Sequence, residues 1–248
     1  MNPLLKPCAV VVLLVMLWQA MISLLAIPPF ILPAPDQVLA RLFNDRAMLF
    51  SHALVTLSEM VAGLILGVLL GIVTALKLAF FRVVRPWLLP LLLITQALPV
   101  FALAPLLMLW FGYGMVSKVI MTMLVIFFPV ATCCYDGLRQ TRQGWLDMVE
   151  VMGARPVAVL QLVRWPATLP SLASGLKVAV VVAPMAAVGG EWVGSSSGLG
   201  YIMMQANARL WLDLMFAALV LLALCSVALY YLTDRFVHWL IPWQDRTP

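Results

Sequence analysis

Asp147-Met-Val-Glu150-Val-Met-Gly153-Ala154-Arg155-Pro156-Val-Ala-Val-Leu-Gln-Leu-Val-Arg164-Trp-Pro166-Ala-Thr-Leu-Pro170 is the longest reach in the second half of the chain without a membrane-length apolar run. It places Asp147, Glu150, Arg155 and Arg164 between two strongly apolar segments, so it reads as a loop facing water. Gly153 is placed to end one short helix and Pro156 to sit in the first turn of the next. Pro166 and Pro170 are placed to stop that second helix. The expectation is a folded hairpin of two short helices at an angle, a docking element or a plain connector.

Working outward, 65% of the 248 residues are hydrophobic and 10% are charged, with a mean hydropathy of +1.07. That is too little polar surface to cover a soluble globule, so the chain is an integral membrane protein. Its apolar runs are each about the 20 residues a helix needs to cross hydrocarbon, and they lack the alternation of a barrel strand. The fold class is therefore all-α, with six transmembrane helices. The net charge of +5 comes from Lys and Arg scattered singly, which argues for topology signals and against nucleic-acid binding. Cys8, Cys133, Cys134 and Cys225 fall within apolar segments without metal-ligand spacing and read as packing residues.

In chain order, residues 8 to 27 form a retained first helix rather than a cleaved leader, because the run is long and no small-x-small site follows. Residues 28 to 50 are a polar connection, with Pro33-Ala-Pro35-Asp36 opening a short amphipathic helix through Arg41. The second span, 54 to 78, carries Gly63, Gly67 and Gly71 at four-residue spacing, a ridge that lets a neighbouring helix approach closely. The third, 87 to 110, is interrupted by Pro90, Pro99 and Pro105 and carries Gln96, which makes Gln96 and Pro99 candidates for a pathway wall or gate. A Gly112-Tyr-Gly114 turn leads to the fourth span, 116 to 138. The fifth covers 171 to 190 and the sixth 212 to 233.

The organisation is thus a first helix and connection over 1–50, a five-helix core over 51–240 that includes the hairpin at 139–170, and a tail over 241–248. Six spans put both termini on one side. Lys6, Lys77, Arg82, Arg85, Arg139, Arg142, Arg155, Arg164, Lys177, Arg235 and Arg246 lie on that side, against Arg41, Arg46, Lys118 and Arg209 on the other. By the positive-inside rule the termini and the Asp147 hairpin are cytoplasmic.

The pattern Asp147-Met-Val, three residues, Gly153, nine residues, Val163-Arg-Trp-Pro166 resembles the EAA loop of the membrane subunits of binding-protein-dependent ABC importers, with Pro170 and Gly175-Leu-Lys177 continuing as in that family. Asp147 stands for the family's Glu, Met148-Val149 for two Ala and Trp165 for Leu. The resemblance implies the type I importer permease fold and a coupling loop (Asp147, Glu150, Gly153, Ala154, Arg155, Pro166, Pro170) that sits in a cleft of an ATPase subunit. It also implies a second permease copy, two ATP-binding subunits, a periplasmic or lipid-anchored substrate-binding protein, and the bacterial inner membrane as location. No phosphate-cradling Gly-x-x-x-x-Gly-Lys-Ser/Thr motif is present, so ATP and Mg belong to the partner and this chain binds no cofactor of its own. Within the family, Ala104-Pro105 to Gly112, Gly190-Glu-Trp-Val-Gly194 and Ser197-Gly-Leu-Gly-Tyr201 resemble the nitrate, sulfonate, taurine and pyrimidine-precursor branch. With Gln205 to Arg209 and Asp213 to Ala218 they are most similar to hydroxymethylpyrimidine permeases that supply thiamine synthesis.

Glu191, Trp192, Ser195, Ser196 and Ser197 are the remaining pathway candidates, because a carboxylate at a span end must be solvated, paired or lining a polar cavity, and the hydroxyls beside it suit a small polar ring. The same segment, Gly194-Ser-Ser196-Ser-Gly198, formally matches a Gly-x-Ser-x-Gly elbow, with Asp213 and His238 following in hydrolase order. That elbow needs a buried strand before it, and His238 falls at the far end of the sixth span, so a hydrolase is disfavoured. Arg209 is expected to pair with Asp213. His52 and His238 are expected to make only local contacts.

Overall fold

A computed structural model describes residues 5–81, 83–97 and 99–243; the side chains at 5–8, 91, 93, 95–97, 100 and 101 are not among those described. The described residues form eleven α-helices and no strand. They are α1 (Leu5–Leu25), α2 (Pro35–Asn44), α3 (Arg46–Phe80), α4 (Arg85–Ala97), α5 (Val100–Phe111), α6 (Met115–Arg139), α7 (Gln143–Val151), α8 (Pro156–Val159), α9 (Trp165–Gly194), α10 (Leu199–Ala208) and α11 (Leu212–Leu240). α3, α6, the run through α8 and α9, and α11 are each long and apolar enough to cross a bilayer. α1 is a further apolar helix, and α4 with α5 makes the broken span. The break falls at Pro99, the N-cap of α5, whereas Pro90 and Pro105 are carried inside their helices.

The core is a sandwich of α3, α6 and α9, and glycines make it possible. A Cβ at Gly63 would stand 2.5 Å from the Thr122 methyl, and one at Gly67 or Gly71 would stand 2.8 Å from Ile126 or Val130. Residues 122, 126 and 130 are a ridge of α6 seated in the glycine groove of α3, as the four-residue spacing predicts. On its other side α6 meets α9, where a Cβ at Gly175 would press to 2.8 Å from Cys133 and 2.9 Å from the Pro129 carbonyl. Met60, Leu78, Ile126, Val130, Ala179 and Val180 are fully buried here. A second core, under α2 and α10, joins Val38, Leu49, Leu199, Ala206 and Ala217.

The second short helix of the hairpin is not separate. α8 runs through a π-helical turn, Leu160–Arg164, directly into α9, with Pro166 in the first turn and Pro170 inside the helix. The expectation that these prolines stop the helix is corrected for a physical reason. Pro166 cannot donate to the carbonyl four residues back, and the π turn, in which Trp165 N–H reaches Leu160 O, shifts the bonding register so that the helix passes the proline.

Candidate functional site

Two regions at opposite ends of α9 carry the polar chemistry. At the first, where α9 gives way to α10, the chain turns at Gly198 (φ +111) and α10 begins at Leu199. A helix start leaves four N–H groups without helical partners, and the N-cap residue usually supplies an oxygen to one of them. Gly198 has no side chain to give. The four N–H groups from Gly198 to Tyr201 are instead taken by side chains of other helices. Gly198 N–H donates to His52 Nδ1 (2.9 Å), Leu199 N–H to Thr56 Oγ1 (2.8 Å), and Gly200 and Tyr201 N–H to Glu191 Oε2 (2.5 and 3.3 Å). Thr56 Oγ1 donates in turn to Glu191 Oε1 at 2.6 Å.

This fit requires glycine. A Cβ on Gly198 would stand 2.2 Å from Glu191 Oε1, and one on Gly200 would stand 2.7 Å from Oε2. Glu191 is fully buried, so it neither meets water nor stands open to a solute in this conformation. A buried carboxylate persists because several donors replace its hydration, and the negative charge sits at the positive end of the α10 dipole.

One turn along α3, Glu59 is also fully buried, and Lys118 Nζ of α6 stands 3.1 Å from its Oε1. The same ammonium donates to Ser195 Oγ (2.5 Å), which donates to the Ser197 carbonyl and accepts from Ser197 N–H. Ser196 and Trp192 are exposed beside this network and Ser197 is half-buried. Lys118 was counted above as a loop charge, but it is 4% exposed within α6, so the topology count loses one residue on the minority side.

His52, Thr56, Glu59 and Lys118 are the residues that sequence reasoning missed. The available signal was the spacing. Positions 52, 56 and 59 share the face of α3 that continues as Gly63, Gly67 and Gly71. Asp213 pairs with Arg41 of α2 at 3.4 Å and not with Arg209, whose guanidinium lies over Trp211 at 5.1 Å. The expected pair fails because the chain turns at Leu210 (φ +59) between α10 and α11, which breaks the helical spacing it needs. The hydrolase constellation is likewise not assembled. Ser196 follows a helix, Asp213 is held by Arg41, and His238 Nδ1 lies 2.7 Å from the Asp234 carbonyl.

At the other end of α9, α7 closes as the residue types predict. Gly153 (φ +63) takes the left-handed position after the helix, its N–H donating to Glu150 O and the Ala154 N–H to Val149 O. That pair of bonds is the Schellman stop. Arg155 is the N-cap residue of α8 and Pro156 follows in its first turn. Asp147 is exposed and accepts from Gln143 Nε2 (2.9 Å). No residue of α7 is buried, and Val151 and Met152 are 90% and 74% exposed. Glu150, Ala154 and Arg164 line a cleft of about 390 Å³ with Ala79 and Phe80, the end of α3. Pro166 lines a neighbouring groove with Trp145 and Met148. Gln96 lies in α4 with its side chain outside the described residues, and Pro99 is exposed at the break.

A probable ABC transporter permease protein of Haemophilus influenzae is 52% identical over 95% of this chain and 96% of its own length. The formylaminopyrimidine transport permease protein ThiX of Halalkalibacterium halodurans is 32% identical over 98% and 97%. The riboflavin transport system permease protein RibX of Chloroflexus aurantiacus is 34% identical over 94% and 87%. Among solved structures, an inward-facing MetNI methionine ABC transporter chain superposes with a TM-score of 0.69 at 19% identity, covering 79% of this chain and 97% of that one. Such a likeness shows the fold, the type I importer permease fold expected from the hairpin. Residues 67–246 match the model of the binding-protein-dependent transport system inner membrane component, and with those relatives it establishes that this chain belongs to that family of ABC importer permease subunits, which are membrane transport proteins and not enzymes.

Proposed function

We propose that this chain forms the translocation pathway for a small polar organic molecule, hydroxymethylpyrimidine or a related thiamine precursor, in the bacterial inner membrane. The observation that carries the substrate class is the relative named for formylaminopyrimidine, similar over 98% of this chain. The Glu-Trp-Val-Gly-Ser-Ser-Ser-Gly-Leu-Gly-Tyr segment, on which the branch resemblance rests, is the segment that builds the α9–α10 junction. A flavin is the second reading, favoured by the relative named for riboflavin.

In this reading the termini and α7 face the cytoplasm and the α9–α10 junction faces outward. Two copies pair, and each presents its Asp147 hairpin to one ATP-binding subunit, which holds the ATP and Mg. α7 suits that role because its exposed apolar residues gain from burial against a partner, while its own fold is closed by Gly153. Closure of the ATPase pair moves the hairpins, and α8 leads without a break into α9, whose 30 residues carry that motion about 45 Å to the junction. A substrate-binding protein delivers the solute on the outward side, where Trp192, Ser195, Ser196 and Ser197, together with Gln96 and Pro99 of the broken span, border the route.

Uptake by cells with and without the gene tests the substrate. Labelled hydroxymethylpyrimidine should accumulate only with the gene, and riboflavin and taurine should be indifferent to it. Gene-dependent riboflavin or taurine uptake with unchanged pyrimidine uptake would transfer the assignment to that solute.

A further inference from the structure

α10 is ten residues long, and its attachment differs from that of the membrane-crossing helices. Each of its first N–H groups, from the N-cap residue onward, ends on a side chain of α3 or α9, with none left to water. Its two ends are the backbone turns at Gly198 (φ +111) and Leu210 (φ +59), so both connections to neighbouring helices are sharp and short. Leu199, Ile202 and Ala206 press one face of α10 onto the second core. Beneath it, Glu59 and Lys118 join α3 to α6, and Lys118 reaches the serine link just before α10 through Ser195. One short helix is therefore fastened by side chains to two membrane helices at a single end, and the link that precedes it to a third.

We propose that α10 is a preformed lid over the outward end of the pathway, moving as one piece, and that His52, Thr56 and Glu191 are the positioning residues that hold it shut. This rests on the importer reading. Glu191 acts through α10 and does not itself touch the solute. Its carboxylate is the group for which a tight hold and release are both possible, since its bonds to Gly200 and Tyr201 can pass to water when the lid lifts. The Lys118–Glu59 pair stays paired in either state, because separating two buried charges is far costlier than exchanging hydrogen bonds.

The test uses Ala206→Cys, a small replacement on the buried face of α10, in the full chain with its four native cysteines replaced, expressed in intact cells. A membrane-impermeant maleimide is the probe. Labelling should be slow in ATP-depleted cells and at least about tenfold faster in energised cells given substrate. Glu191→Gln keeps the shape but loses the charge and one acceptor oxygen. It should raise labelling in depleted cells to the energised level and lower uptake at saturating solute more than it changes the half-saturating concentration. If Glu191→Gln does not reach the membrane, Thr56→Ala, which removes a single bond to α10, should show the same pattern, with Thr56→Ser restoring slow labelling. Equal labelling of Ala206→Cys in depleted and energised cells, with uptake intact, would overturn the lid. Energy-dependent labelling without solute uptake would leave the lid standing and count against the substrate alone.

Discussion

The two ends of α9 handle polar and apolar groups in opposite ways. At the α9–α10 junction, charged and hydroxyl side chains are inside, Glu191 takes its hydrogen bonds from within the chain, and Glu59 faces the Lys118 ammonium. Glu191 and Glu59 are fully buried and Lys118 nearly so. At the α7 hairpin Asp147, Glu150 and Arg155 are exposed, no α7 residue is buried, and large apolar side chains such as Val151 and Met152 face outward. The first turns its polar groups inward, onto the chain itself. The second has a finished backbone and an unfinished surface, the condition expected of a contact that another polypeptide completes.

Substitutions separate the two regions. The largest effect is expected for Lys118→Met, which leaves the Glu59 carboxylate buried without its cation and should cost about 3–5 kcal/mol. Unfolding of the detergent-solubilised chain measures it, and pairing the change with Glu59→Gln should recover most of the loss. An unchanged midpoint for the single variant would mean that the junction is not held by this pair.

An intermediate effect is expected for Gly67→Val in the helix sandwich. Its Cβ alone would stand 2.8 Å from Ile126, so α3 and α6 must part, at about 1–3 kcal/mol. The same unfolding assay decides, and a stabilised variant would contradict the groove. The smallest effect on the fold, within about 0.5 kcal/mol, is expected for Val151→Asp, because that side chain touches little of its own chain. Co-purification of the ATPase subunit should nevertheless fall at least about tenfold. A variant that unfolds the chain, or one that leaves the ATPase bound, would erase the contrast between the ends.

Much of the hairpin was legible because its features are local. Gly153 needs φ above zero and Pro156 needs a first turn, and both demands are met within a few residues. The Gly63, Gly67 and Gly71 groove was legible for the same reason, a spacing along one helix. What failed was the reading of Pro166 and Pro170 as stops, since a π turn, invisible in residue preferences, lets a helix continue past a proline. Glu191 was singled out with its partners left open, and His52 was set aside as local although its bond spans 146 residues of sequence. Both gaps share a cause, because a polar residue within an apolar run reveals its partner only when the distant helix is in place.

The sequence by itself determined that this protein lives in a bilayer, which stretches cross it as helix, which glycines let two of them touch, and that a polar hairpin with a fixed glycine stop interrupts the second half. Those properties follow from hydropathy and from backbone preferences, which act over a few residues. Only the tertiary structure decided that α3, α6 and α9 converge so that buried Glu59 meets Lys118, and that a glycine-started helix borrows its cap from His52, Thr56 and Glu191. Electrostatic compensation in a medium without water is a property of what stands opposite a charge, and sequence order does not specify what stands opposite.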